Sequence, residues 1–178
     1  MNLVPVCPET FKKIVADWSD QCSQFDEDFS DFAVHSISHA KEIVDGKHEG
    51  KKYGIFTLNS GGEYHLLAHL NVAPLPKTTG TTLRILWILL APKYDFDDTP
   101  ADRLASMVAD LFASAIELSS ESNGFMEADH VKVHLSGIAD RRFFAGMAYG
   151  FERDGKMMDV AIRGNWLHMS HTRSETKC

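Results

Sequence analysis

An α/β fold, a mixed and mostly antiparallel central sheet with helices on both faces, is what this sequence predicts from three observations. Strand-like and helix-like stretches alternate along the chain. One strand, Thr82 to Leu90, is apolar on both faces apart from Arg84, as a central strand is. No repeat, low-complexity tract or Pro/Gly/Ser-rich linker divides the 178 residues, so a single domain over 1–178 is expected.

The elements follow in order. Asn2 to Val6 reads as a first strand, and Pro8 opens a helix over Phe11 to Trp18, where Phe11, Ile14, Val15 and Trp18 keep helical spacing. A polar stretch leads to a second helix from about Phe29 to Val44. Tyr53 to Leu58 reads as a strand, Asn59-Ser60-Gly61-Gly62 as its turn, and Tyr64 to Val72 as a strand with clean alternation. On that strand His65, His69 and Asn71 oppose the apolar face. Pro74, Pro76 and Gly80 mark a loop before the central strand.

Asp98-Thr99-Pro100 combines a capping side chain with proline at the first helical position, and the helix runs to about Leu118. His130 to Leu135 alternates again. Ile138 to Tyr149 is a further helix ended by Gly150. Lys156 to Arg163 and Trp166 to His171 flank Gly164-Asn165, a dipeptide suited to a two-residue hairpin turn. The tail from Thr172 to Cys178 is polar and expected to fray.

Composition narrows the function. The chain is 44% hydrophobic and 24% charged, as globular proteins are, and carries a formal charge of -7. That balance argues against nucleic acid or an anionic membrane as the main partner. Three cysteines cannot all pair within one chain, and no secretory leader pattern opens it, so a cytoplasmic setting is expected. The longest apolar run, Ile85 to Pro92, is far shorter than the roughly 18 residues a membrane span needs.

The histidines were candidates for metal or base chemistry. His65 and His69 share one strand face, as do His130 and His134, but four residues along a strand is about 13 Å, too far for one metal to bind both. His35 and His39 are at helical i, i+4 spacing, yet His-Ser-Ile-Ser-His lacks the glutamate of a metalloprotease helix. All three pairs read as solvated polar faces, and no metal is expected. A metal-dependent hydrolase is the remotest of the functions considered.

At residue level, Gly150-Phe151-Glu152-Arg153-Asp154-Gly155, then Ala161, Gly164 and Trp166, resembles the end of the GNAT superfamily of acyl-coenzyme A-dependent N-acyltransferases. The likeness is to its ribosomal-protein-acetylating branch, with His168 where that branch often has aspartate. Leu3-Val4-Pro5 with Pro8-Glu9, and Ala91-Pro92-Lys93-Tyr94, resemble the family's opening and the strand end before its cofactor loop. The element order matches over nearly the whole chain.

The resemblance implies acyl transfer from acetyl-coenzyme A or another acyl-coenzyme A to a primary amine of a small molecule or protein. By motif position, Leu89, Leu90, Ala91, Phe96, Asp98, Thr99 and Ala101 would meet the cofactor, with backbone N–H groups at Leu89 to Ala91 polarising the thioester carbonyl. The loop departs from the family pattern. Asp95 replaces the usual basic residue, and the glycine positions fall at Phe96, Asp98 and Pro100. Four aspartates, at 95, 97, 98 and 102, oppose a pyrophosphate, and Pro100 lacks a donor.

The same residues also make an ordinary capped helix start with an acidic first turn. The family's helix asparagine and tyrosine positions fall on Ala139 and Gly146. Tyr149 lies nearby on another part of that helix and reads as a packing residue. His130, His134 and Tyr149 are the candidate catalytic side chains, the histidines as general bases. The rival to the enzyme is a binding or regulatory module that has kept the fold and lost coenzyme A. A homodimer through the edge near the C-terminal hairpin is also expected.

Overall fold

The computed structural model describes residues 1–46, 52–74, 80–120, 124–135, 144–145 and 157–171. The described elements are β1 (Asn2–Pro5), α1 (Pro8–Gln24), α2 (Val34–Asp45), β2 (Tyr53–Ser60), β3 (Glu63–Pro74), β4 (Thr81–Leu90), α3 (Pro92–Phe96), α4 (Ala101–Ser120), β5 (His130–His134), β6 (Met157–Arg163) and β7 (Trp166–His171). The strands form one seven-stranded sheet in the order β1-β2-β3-β4-β5-β7-β6. β4 and β5 run parallel, whereas β1–β2, β5–β7 and β6–β7 are antiparallel. The predicted helix over Ile138 to Tyr149, and with it Tyr149, lies outside the described residues apart from 144 and 145.

The chain divides into two compact units, Met1–Leu70 with Trp87–Ala115, and Asn71–Leu86 with Ile116–Cys178. In the first unit α1 is longer than the predicted Phe11–Trp18. Phe11, Ile14, Trp18 and Cys22 recur every three or four residues and are all buried. Trp18, fully buried, donates its indole N–H to the Tyr64 carbonyl of β3 at 3.1 Å. The apolar stripe explains the extension, since it continues past the polar Ser19 and Asp20.

The second helix begins later than predicted. Residues Phe29 to Phe32 form turns and Ala33 takes a left-handed φ of 47°, so the helix starts at Val34. The phenylalanines of that stretch are used in aromatic packing: Phe29 lies 6.2 Å from Phe32, and Phe32 lies 6.1 Å from Trp18. Between β2 and β3 the turn narrows to Gly61-Gly62, both at positive φ, where residues without a Cβ relieve the strain.

In the second unit the start of β4 is tied to the residue before β5. Asp129 accepts the Thr81 N–H at 2.8 Å and returns its own N–H to the Thr81 carbonyl at 3.1 Å. Gly80 sits against this pair at φ 88°, where a Cβ would come 2.1 Å from an Asp129 carboxylate oxygen. The β6–β7 hairpin turns on Gly164-Asn165 with Gly164 at φ 62°, as the dipeptide predicts. Leu83, Ile85, Val131, Val133, Leu167 and Met169 bury the apolar face of this part of the sheet.

Candidate active site at the end of the central strand

Beyond Leu90 the chain does not run as a loop into α4. It forms α3, a helix absent from the sequence expectation, with Ala91 extended before it and Pro92 in its first turn. α4 then starts at Ala101, so Pro100 precedes the helix instead of opening it. The Pro100 carbonyl accepts the N–H groups of Arg103 and Leu104 at 3.0 and 3.3 Å.

Side chains far away in sequence hold α3 in place. The Tyr94 hydroxyl meets His65 Nδ1 at 2.6 Å, and His65 Nε2 meets Ser60 Oγ at 2.8 Å. Gln21 Oε1 of α1 accepts the Lys93 N–H at 3.2 Å, and the Lys93 ammonium pairs with Glu63. Phe96 packs 5.8 Å from Phe25 and 5.9 Å from Phe32, and Arg103 stands 5.7 Å from the Tyr94 ring. These contacts lie within the first unit.

His65 corrects the expectation of a solvated strand face. It is 3% exposed, because β3 lies between two strands and is covered on both sides over His65–Ala68. Burial holds its imidazole below the usual value, with Arg103 and the N-terminal ammonium acting in the same direction. A neutral imidazole donates from one nitrogen and accepts at the other. Glu63, with a carboxylate oxygen 3.8 Å from Nε2, favours the proton there, which leaves Nδ1 to accept from Tyr94. Burial raises the Tyr94 phenol, so it stays a donor.

The other histidines are distributed differently. His69 stacks near His39 at 5.5 Å and near Trp87 at 5.9 Å, joining α2, β3 and β4. His35 is exposed on α2. His130 is half-buried with Nδ1 2.9 Å from Ser170 Oγ, and His134 is exposed with its ring 5.0 Å from Trp166. Among the described residues no three His, Cys, Asp or Glu side chains gather in a way that could hold a metal. No described helix is long and apolar enough to cross a membrane.

No protein-family model matches the sequence, and no curated protein matches it. Solved structures do. A structure described as histone acetyltransferase HPA2 and related acetyltransferase, from Corynebacterium glutamicum, superposes with a TM-score of 0.50 at 10% identity, over 97% of this chain and 98% of that one. The chain has the GNAT fold. A putative GNAT-family acetyltransferase from Desulfovibrio desulfuricans gives 0.44 at 18% identity, over 95% of each chain. The ribosomal-protein-S18-alanine N-acetyltransferase of Escherichia coli gives 0.46 at 12% identity, over 99% of this chain and 98% of that one.

The GNAT fold implies coenzyme A, and the residues at its expected pyrophosphate position do not fit that group. Several backbone donors there are already used. Ala91 N–H bonds the His65 carbonyl at 3.0 Å, Tyr94 N–H the Ala91 carbonyl, Asp97 N–H the Lys93 carbonyl and Thr99 N–H the Asp97 carbonyl. Pro92 and Pro100 have no N–H. Phe96 fills a glycine position with a ring committed to Phe25 and Phe32, and Asp95, Asp97, Asp98 and Asp102 set negative charge where an anion would come. The Ala91 N–H is thus taken up by β3.

In the sequence Tyr94 belongs to a motif and His65 to a polar strand face, and nothing local pairs the two. The usable signal is a histidine near the start of a long strand with a tyrosine four residues past the end of the next one.

Proposed function

We propose that the chain is an acyltransferase that moves an acyl group from a thioester to a primary amine, recognising the thioester and its arm more than any pyrophosphate. The observation that carries this reading is the far end of β4. Its pairing with β5 runs from Thr82–His130 to Ile85–Val133, while β4 continues to Leu90 with Leu86 to Leu90 all half-buried. An apolar strand end of this kind offers backbone N–H groups to an oxygen that gains charge, and apolar side chains to an alkyl arm. Leu89 and Leu90 remain the positions for that role.

In such a transfer the amine nitrogen bonds the acyl carbon, the C–S bond breaks, and the proton released from nitrogen ends on the sulfur. Acetyl-coenzyme A is the donor the fold implies, with a small-molecule or protein amine as acceptor.

The test is thiol release from acetyl-coenzyme A and S-acetylpantetheine with a panel of amines and lysine- or amino-terminal peptides, the product confirmed by mass. Turnover that depends on the amine supports the proposal. A folded protein that releases no thiol above buffer across the panel would sink it and leave the fold as a binding module.

A further inference from the structure

The second unit carries a cationic sheet face that the proposed transfer does not use. Strand register sets the side chains in rows: Thr82–His130–Ser170 in one, Arg84–Lys132–His168 in the next, and His134–Trp166 beyond. Partners in a ladder point to the same side; on β6, Asp159, Ala161 and Arg163 continue these rows in register, while the reverse face buries Leu83, Val131 and Met169.

Among the described residues, two groups on this face lack what burial demands. Lys132 is only 8% exposed, and among the described side chains no carboxylate pairs with it. The Thr82 hydroxyl, on a fully buried residue, has no hydrogen-bond partner among the described residues. A buried charge without a counter-ion and a buried hydroxyl without a partner are each costly, and here they occupy adjacent rows. Arg84 beside Lys132 is held by Asn71 Oδ1 at 2.7 Å, which uses its Nε and leaves the guanidinium's other donors.

We infer that this face binds an oxyanion, a phosphate or carboxylate group, with Lys132 and Arg84 as the charged donors and the Thr82 hydroxyl as a neutral one. A single anion supplies both things that the described side chains do not: a counter-charge for Lys132 and an acceptor for Thr82 Oγ1. Burial lowers the Lys132 ammonium, and Arg163 and Arg84 lower it further, which shows the cations within electrostatic reach of one another. The chain's net charge of -7 suits a small ligand carrying one oxyanion better than a nucleic-acid backbone. The inference stands whether or not the chain transfers acyl groups.

The experiment is thermal unfolding of the full chain in increasing inorganic phosphate, against sodium chloride of matched ionic strength, with acetate as a second arm. The wild-type midpoint should rise saturably. In Lys132→Met the saturable rise should vanish, leaving only the gradual drift that kosmotropic salts give any protein. Arg84→Gln and Thr82→Val, each shown folded by circular dichroism, should weaken the apparent affinity, Arg84→Gln by about tenfold. A response to acetate as strong as that to phosphate assigns a carboxylate ligand, and a response to phosphate alone assigns a phosphoryl group. Equal responses in wild type and all three variants, or no saturable response to either anion, would overturn the inference.

Discussion

His65 Nδ1 and the Tyr94 hydroxyl lie 2.6 Å apart although 29 positions separate them in the chain, and this contact fastens α3 to β3. The segment that in the resembling family would cradle a pyrophosphate is here packed into its own unit. Tyr94→Phe would leave a nitrogen of a 3% exposed imidazole without its partner. A cost of roughly 1–3 kcal/mol is expected, read as a lower urea midpoint with an unchanged slope. A variant as stable as wild type would mean that the bond contributes nothing.

The same pair predicts a pH dependence. Folding depresses the His65 pKa below about 6.5, so the unfolded chain takes up a proton first as the pH falls. The His65 contribution is therefore complete above that value and is lost as pH drops from there toward the folded-state pKa. Stability measured from pH 8 downward should begin to decline just below 6.5, and His65→Gln should show a shallower decline over that range. Parallel curves for the two proteins would contradict the assignment.

Phe96 is the clearest mark of a rebuilt loop. Its ring packs on Phe25 and Phe32 yet is 37% exposed, so Phe96→Ala should cost about 1–2 kcal/mol, less than a fully buried phenylalanine. Phe96→Gly restores the family's residue type at that position but leaves the donors of Ala91, Tyr94, Asp97 and Thr99 engaged. It should therefore destabilise the protein without improving coenzyme A binding. Calorimetry on the folded variant decides this, and tighter binding would show that the phenylalanine alone blocks the site.

Gly80 and Asp129 give a prediction confined to the second unit. A Cβ at residue 80 meets the Asp129 carboxylate and must also adopt φ 88°, so Gly80→Ala should destabilise by roughly 2–4 kcal/mol through strain and loss of the Thr81 N–H bond. Combined with Asp129→Ala, part of that cost should disappear, because the clash and the bond are both already gone. A double-mutant cycle with strictly additive effects would contradict the described contact.

Much of the fold was legible because its elements carry strong local patterns. The stripe of Phe11, Ile14 and Trp18, the apolar run Thr82 to Leu90 and the Gly164-Asn165 turn each specify an element from neighbouring residues alone. The element α3 was not legible. It is five residues long, and its partners Gln21, Phe25, Phe32 and His65 come from distant parts of the chain. The start of α2 was misjudged for a related reason, since Phe29 and Phe32 keep helical spacing but serve an aromatic cluster instead.

At the candidate site, the misfit of Asp95 to Asp102 with a pyrophosphate was readable from residue type. What those residues do instead depends on contacts that only the folded chain brings together. Likewise, the row of Arg84, Lys132 and His168 appears only once strand register is known.

The most direct measurement is calorimetric titration of the wild-type chain with acetyl-coenzyme A and, in parallel, S-acetylpantetheine, which lacks the pyrophosphate and nucleotide. The rebuilt loop predicts that the two bind with affinities within about threefold of each other, because its four aspartates and engaged donors oppose the part that distinguishes them. Acetyl-coenzyme A binding tenfold or more tightly than S-acetylpantetheine would contradict the account, by requiring a pyrophosphate site that the hydrogen bonds of α3 and the strand end before it deny.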